Sequence, residues 1–353
     1  MTRPRAHKAF YVTLLGLLLG CGDPEQAFVD GAPAGIVGGW AATTGQIFAT
    51  VEIRHAGAHS GFCSGVLISP SLVVTAAHCA VVEPELGVVQ PAPPFSLDIA
   101  AGHLSSREVS GAMLRSVVES RVHEEYDHDF IMGRNRAGAG QGGIGSPNDI
   151  ALLFLDRPFD AIPRAPLLSE QRQKELVGHG DVGFVAGYGV YDVEQGLGGA
   201  LYISDAIIDI IGERELLTRR SDQLGDSCYG DSGGPLYVPT QDGDFLVGLV
   251  SRGRSDVKRD CGDGGVYTLV SAHLDWIAET ASDRFDPIVD SNVETHTFVE
   301  DGSGPITVPK GGSLRRANGC AVSGPSNAYT PVWGLALLLV AAWRSRRLSG
   351  TTL

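Results

Sequence analysis

Three residue types that can act together on a carbonyl group stand far apart in this chain. Ser232 lies in Gly-Asp-Ser-Gly-Gly-Pro, His78 in Thr-Ala-Ala-His-Cys and Asp149 in Asn-Asp-Ile-Ala-Leu-Leu. A serine hydroxyl is a weak nucleophile near neutral pH and needs a base within hydrogen-bond reach. A lone histidine or aspartate means little, but the order His, Asp, Ser is one of the known orders of a catalytic triad. The serine segment also repeats itself. GDSCYGDSGGP, residues 225–235, holds Gly225-Asp226-Ser227 and then Gly230-Asp231-Ser232. The two copies cannot both be a nucleophile site.

Such residues need a scaffold that brings distant segments together. The chain has 47 glycines, few aromatics and 19% charged residues. Many glycines between short apolar runs suggest an all-β fold. Val66-Leu67-Ile68, Leu72-Val73-Val74, Ile150 to Leu155, Val182 to Ala186 and Phe245 to Val250 read as strands between turn signals. Ala272 to Ile277 has helical spacing and closes the domain. Residues 133–147, GRNRAGAGQGGIGSP, are Gly-rich and apolar-poor, which predicts a mobile surface loop. Residues 283–319 are polar and rich in Asp, Gly and Pro, as a linker would be.

The two ends read as addresses. Basic residues precede a short apolar run that stops at Leu18-Leu19-Gly20-Cys21, the pattern of an export signal over residues 1–21. Its end resembles a bacterial lipobox, in which the cysteine is lipidated; ordinary cleavage nearby, with Cys21 incidental, is the other reading. At the other end, Cys320 and a small polar spacer precede an apolar run from Pro331 to Trp343 and then Arg344, Arg346 and Arg347. The run is shorter than the ~20 residues of a spanning helix. Residues 320–353 resemble the MYXO-CTERM sorting tail of myxobacterial surface proteins, with Cys320 at the processing site; a retained short anchor is the alternative. Either way a membrane is implied, and the protein is expected to be exported to the cell envelope or surface. The net charge of −14 argues against nucleic acid as a partner. Cys63, Cys79, Cys228 and Cys261 include no CxxC pair, so no structural zinc is expected. Behind an export signal they read as two disulfides.

Residues 36–282, about 70% of the chain, resemble the trypsin-like serine proteases of the chymotrypsin fold. Ile36-Val37-Gly38-Gly39, the Cys63 and Cys79 segments around His78, His123 to Asp127, Gly187-Tyr188-Gly189, the GDSGGP segment, Gly265-Val266-Tyr267 and Asp275-Trp276-Ile277 carry the resemblance. It implies two antiparallel six-stranded β-barrels with a C-terminal helix, and disulfides Cys63–Cys79 and Cys228–Cys261. It implies Ser232 as nucleophile, His78 as its base and Asp149 as the group that orients the imidazole. The Gly230 and Ser232 N–H groups would form the oxyanion hole. Asp226 would be the carboxylate floor of a pocket for Arg or Lys. Ser227, Ser251, Gly253 and Gly265 would line the substrate site. Residues 22–35 would be a propeptide, and Asp231 would pair with the amine of Ile36 once it is freed. No cofactor or metal is implied, and surface calcium stays open.

The chain departs from the family pattern in four places. Gly35 precedes Ile36, and an enzyme of tryptic specificity does not cut after glycine, so a separate activating protease is implied. Cutting there would also sever the catalytic domain from Cys21, so an N-terminal lipid could tether only the zymogen. Arg252 replaces the usual Trp, removing an apolar wall and adding a cation, which predicts an acidic or polar preference beyond the cleaved residue. The spacings Gly253 to Cys261 and Cys261 to Gly265 are altered, so the pocket rim is rebuilt. Finally, the 133–147 loop is inserted just before Asp149, where it could restrict access or order on binding. A catalytically silent homologue acting as a binding module is the rival reading, opposed by the intact triad, Gly230 and Asp231.

Overall fold

The computed structural model describes residues 35–282 apart from 47–48, 86–87, 220–224, 258 and 260. The export signal with Cys21, residues 22–34, the 283–319 linker and the tail with Cys320 lie outside the described residues. No helix among the described residues is long and apolar enough to cross a membrane.

The first barrel is built from β1 (Thr50–His55), β2 (Cys63–Ser69), β3 (Leu72–Thr75), β4 (Leu97–Ala100), β5 (Leu114–Val122) and β6 (Ala151–Leu155). It closes in the order β1-β2-β3-β6-β5-β4, every pair antiparallel. β3 and β6 are buried along their whole length, which is why their sequences are continuous apolar runs. The second barrel uses β7 (Val182–Gly187), β8 (Tyr202–Ile211), β9 (Glu215–Thr218), β10 (Pro235–Thr240), β11 (Gly243–Gly253) and β12 (Gly265–Leu269). Its order is β8-β7-β10-β11-β12-β9, with β9 pairing back to β8. Closure of both sheets removes edges that would otherwise invite pairing with other chains.

Every strand read from the apolar runs is present, and both disulfides form as implied, Cys63–Cys79 and Cys228–Cys261. The closing helix α1 runs Leu274–Ala281 after a tight turn at Ser271–His273. A further helix, Glu170–Leu176, has only Gln173 buried, so it offers no apolar period to read. Ser169 caps it by accepting the Arg172 N–H.

The 133–147 segment is a largely exposed loop, as expected, but its second half is fastened. It is tied to the second barrel: Gly143 C=O accepts from Arg252 Nη2 at 2.6 Å, Gly142 C=O accepts from the Ser255 N–H at 3.0 Å, and the Gly145 N–H donates to Glu215 Oε2 at 2.7 Å. Glycines without side chains let the backbone approach closely enough for its polar groups to be satisfied by fixed partners.

Candidate active site

Strand register brings His78 and Asp149 together. β3 and β6 pair with Thr75 opposite Ala151, so the turn after β3 and the residues entering β6 meet at one end of the first barrel. His78 sits in the tight turn Ala77–Cys79, held by the Cys63–Cys79 bond. Its backbone N–H donates to Asp149 Oδ1 at 3.0 Å, and its Nδ1 lies 2.9 Å from Asp149 Oδ2. Asp149 is fully buried, while the His78 side chain keeps 20% exposure. The second barrel completes the aspartate's shell through Ser251, whose Oγ donates to Oδ2 at 2.6 Å.

Burial favours the neutral imidazole, but the charge and hydrogen bond of Asp149 outweigh it, so His78 binds its proton more tightly than an ordinary histidine. Burial would raise the Asp149 carboxyl, and the bonds from His78 and Ser251 hold it below the ordinary range. The result is an ionised carboxylate fixing an imidazole with Nδ1 as donor, leaving Nε2 as the free ring nitrogen.

Ser232 enters from the second barrel, in the loop before β10. The Ser232 C=O accepts from the Ser64 N–H at 2.8 Å and lies 3.5 Å from Cys79 Sγ, beside the His78 turn. Gly233, at φ 78°, makes this approach possible, because a side chain there would collide with Thr75 and the Ser64 carbonyl. Gly230, at φ 92°, passes as closely over the backbone of Gly189. Among the described residues, the Gly230 and Ser232 N–H groups donate to no protein acceptor, and no hydrogen bond joins the Ser232 hydroxyl to the His78 ring. Free backbone donors two residues apart in the loop that carries the Ser232 hydroxyl suit an oxygen that gains negative charge.

Asp226, 2% exposed, lies deeper. It accepts from Thr218 Oγ1 at 2.6 Å, from the Ser227 N–H at 2.6 Å, from Ser227 Oγ at 3.1 Å and from Tyr267 Oη. Burial raises its pKa against these four donors. Gly253 pairs with Gly265 across β11 and β12, and a side chain at Gly265 would press on Asp226, Ser227 and Tyr267. Thr218 and Tyr267 were not among the expected site residues. Tyr267 was visible only as part of the closing-strand motif, and Thr218 has no local signal.

Asp231 is fully enclosed and, among the described residues, accepts only backbone N–H groups, from Gly189 at 2.8 Å and Cys228 at 2.9 Å. Burial pushes its pKa up to about 7, with Asp226 adding repulsion. Among the described residues no cationic side chain pairs with it. Ile36 is buried in the core of the second barrel, and the Val37 C=O accepts from the Asp226 N–H at 3.3 Å.

Arg252 corrects the expectation of a cation free to meet an acidic substrate residue. It is 8% exposed and makes a two-pronged ion pair with buried Glu215, at 2.6 and 2.8 Å. Its Nη1 also donates to Ser251 Oγ at 3.1 Å, and its plane lies over the Phe130 ring at 5.1 Å. A guanidinium with its fork already filled by a carboxylate has little left to offer an incoming one.

A family model described as Trypsin matches residues 36–277. The chain belongs to the trypsin-like serine protease family. It is 27% identical over 277 residues to the lectizyme of Glossina austeni, spanning 71% of this chain and 88% of that protein. It is 28% identical over 282 residues to the vitellin-degrading protease of Bombyx mori, 76% of this chain and 91% of the relative. Trypsin epsilon of Drosophila erecta is 29% identical over 269 residues, 70% and 87%. The two closed barrels with a C-terminal helix are the chymotrypsin fold of this family.

Proposed function

We propose that this family member is an active endopeptidase, made as a zymogen, that cuts peptide bonds after Arg or Lys through a covalent acyl-enzyme. His78 removes the Ser232 proton as the hydroxyl attacks and returns it to the leaving amine. Asp149 holds the imidazole and stabilises its charged form. The Gly230 and Ser232 N–H groups receive the developing oxyanion, a contribution of about 3 kcal/mol per donor. The observation that carries this reading is the Ser251–Asp149–His78 hydrogen-bond chain, with the Ser232 backbone beside the His78 turn, its C=O 3.5 Å from Cys79 Sγ.

Asp226 is proposed to select the substrate cation, with glycines at 253 and 265 leaving room for a long side chain. Asp231 is proposed to be the activation switch. The backbone at Ile36 lies at φ 39°, a region that branched side chains avoid, and cutting the Gly35–Ile36 bond would release it. The freed ammonium would then have a buried carboxylate without a cation to pair with. Export, a tether through Cys21 before activation and attachment through the Cys320 tail afterwards complete the proposal.

The experiment uses the protein with residues 32–35 replaced by the recognition sequence of a site-specific protease, before and after cleavage, beside a Ser232→Ala control. Peptides differ only in Arg, Lys, Phe or Ala at the cleaved position. Cleavage after Arg or Lys that appears on activation and vanishes in the control is expected. Cleavage after Phe or Ala keeps the enzyme and removes the role of Asp226. No cleavage by folded, activated protein favours the binding-module reading.

A further inference from the structure

Gly230 has no side chain by which to be held, so its orientation must be fixed through its backbone groups. The structure gives its carbonyl one side-chain partner, and that partner comes from the other barrel. Ser64 Oγ donates to the Gly230 C=O at 3.0 Å. The same oxygen accepts from the Tyr188 N–H at 3.0 Å. A hydroxyl has a single proton to give. With the Tyr188 amide supplying a donor, that proton is committed to Gly230. Ser64 is fully buried, so no water competes for either bond.

The backbone of Ser64 holds the next site residue. Its N–H donates to the Ser232 C=O at 2.8 Å, and its own C=O is fixed by Thr75 Oγ1 at 2.8 Å. One residue of β2 therefore grips the carbonyls of both residues whose N–H groups line the proposed oxyanion hole. The far side of the Gly230–Asp231 peptide is tied by the Asp231 N–H to the Cys228 C=O at 3.1 Å. Without the hydroxyl this peptide is anchored at one end only, around a glycine already at φ 92° with wide conformational freedom.

We infer that Ser64 is a positioning residue for the oxyanion loop: its hydroxyl, reaching across the barrel interface, fixes the Gly230–Asp231 peptide and so completes the hold on Gly230, whose N–H lies in the preceding peptide, tied by the Val190 N–H to the Tyr229 C=O at 2.7 Å. This rests on the proposed roles of Gly230 and Ser232. Ser64 touches no substrate in this scheme. Its effect falls on the transition state, in which the oxyanion forms, and not on filling of the Asp226 pocket.

The test uses the full chain activated at Gly35–Ile36, as wild type and as Ser64→Ala, Ser64→Gly and Ser64→Thr. Four quantities are read: kcat and KM on an Arg peptide amide, affinity for an Arg peptide boronic acid that forms a tetrahedral adduct on the serine, and affinity for benzamidine, which fills only the pocket. Ser64→Ala is expected to lower kcat about tenfold, the worth of one well-placed hydrogen bond, with KM within about twofold. Boronate affinity should fall by the same factor as kcat and benzamidine affinity should hold. Ser64→Thr, which keeps the hydroxyl, should recover most of the loss. If the alanine variant fails to fold, the glycine variant is read in its place. Unchanged kcat in a folded variant lacking the hydroxyl overturns the inference. So does a parallel fall in boronate and benzamidine affinity, which marks general loosening. A wild type that neither turns over nor takes the boronate sinks the proposed function itself, and this inference with it.

Discussion

Two buried aspartates five residues apart, each inside Gly-Asp-Ser, have been given different surroundings. Asp226 accepts from three hydroxyls and one amide, supplied by Thr218, Ser227 and Tyr267. Asp231 accepts from two amides and faces repulsion from Asp226. Burial penalises the charge on both, but hydroxyl donors can follow a carboxylate through small motions, and they oppose that penalty at Asp226. Asp226, 2% exposed, lies against the glycine wall at 265 and half-buried Ser227. Asp231, fully buried, is pressed against Gly187 and Gly189. Identical local sequence thus yields two carboxylates with different donors, the difference on which their proposed roles, toward a substrate cation and toward the protein's own ammonium, rest.

The largest expected effect separates these roles directly. Asp226→Ala should lower kcat/KM on Arg peptides by two to four orders of magnitude, about 3–5 kcal/mol for a buried charge pair losing one partner. Cleavage of a Phe or Ala peptide should persist. Asp231→Asn should lower activity on all these peptides alike, since it acts through the loop that carries Ser232. A changed Arg-to-Phe ratio in Asp231→Asn would break the comparison.

A second expected effect concerns stability before activation. In the uncut chain the Asp231 pKa is raised to about 7 from 3.8, so the folded protein holds this proton more tightly than the unfolded chain. The associated stability is fully present below about pH 4 and is lost as pH rises through about 7, amounting to ~4 kcal/mol. Denaturant unfolding of the uncut Ser232→Ala chain should therefore show stability falling over that window. The added Asp231→Asn change should remove this part of the fall. If the proposed switch holds, the Ile36 ammonium freed by cleavage would offset the buried charge, and the activated chain should lose the dependence. An Asp231→Asn curve parallel to its parent would refute the assignment.

A third, smaller effect belongs to Arg252. Its charge disfavours the imidazolium at His78. Arg252→Gln should therefore raise the His78 pKa and move the acid limb of kcat/KM to higher pH. It also leaves Glu215 buried without its cation, so a lower melting temperature should accompany the shift. An unmoved acid limb in a folded variant would mean that Arg252 serves only to latch the loop.

The strands were legible because β3, β6 and β11 are buried apolar runs bounded by turn residues. His78, Asp149 and Ser232 were legible because short motifs surround them. What stayed hidden was set by partners from other segments of the chain. Ser64, Thr218 and Glu215 sit in ordinary strand sequence, and their importance depends on partners 8 to 166 residues away. The ties that hold the 133–147 loop are hidden for the same reason. Its composition forbids a core of its own, but the groups that fix it, Arg252, Ser255 and Glu215, belong to the other barrel.

The smallest expected effect tests whether the donors around Asp226 matter separately from its charge. Thr218→Val keeps the side-chain shape and removes the bond to Asp226 Oδ2. The lost donor leaves the buried carboxylate less well satisfied, at about 1–3 kcal/mol. Part of that cost is repaid when a substrate guanidinium arrives, because the charge then has a new donor. Folding stability should therefore fall more than Arg-peptide binding does, and the pocket should accept a proton more readily. Benzamidine affinity measured against pH reads this directly: its acid-side loss should move to higher pH in Thr218→Val, while affinity near neutrality changes little. An equal loss of affinity at every pH would mean that Thr218 shapes the pocket without tuning its carboxylate, and the contrast with Asp231 would then rest on enclosure alone.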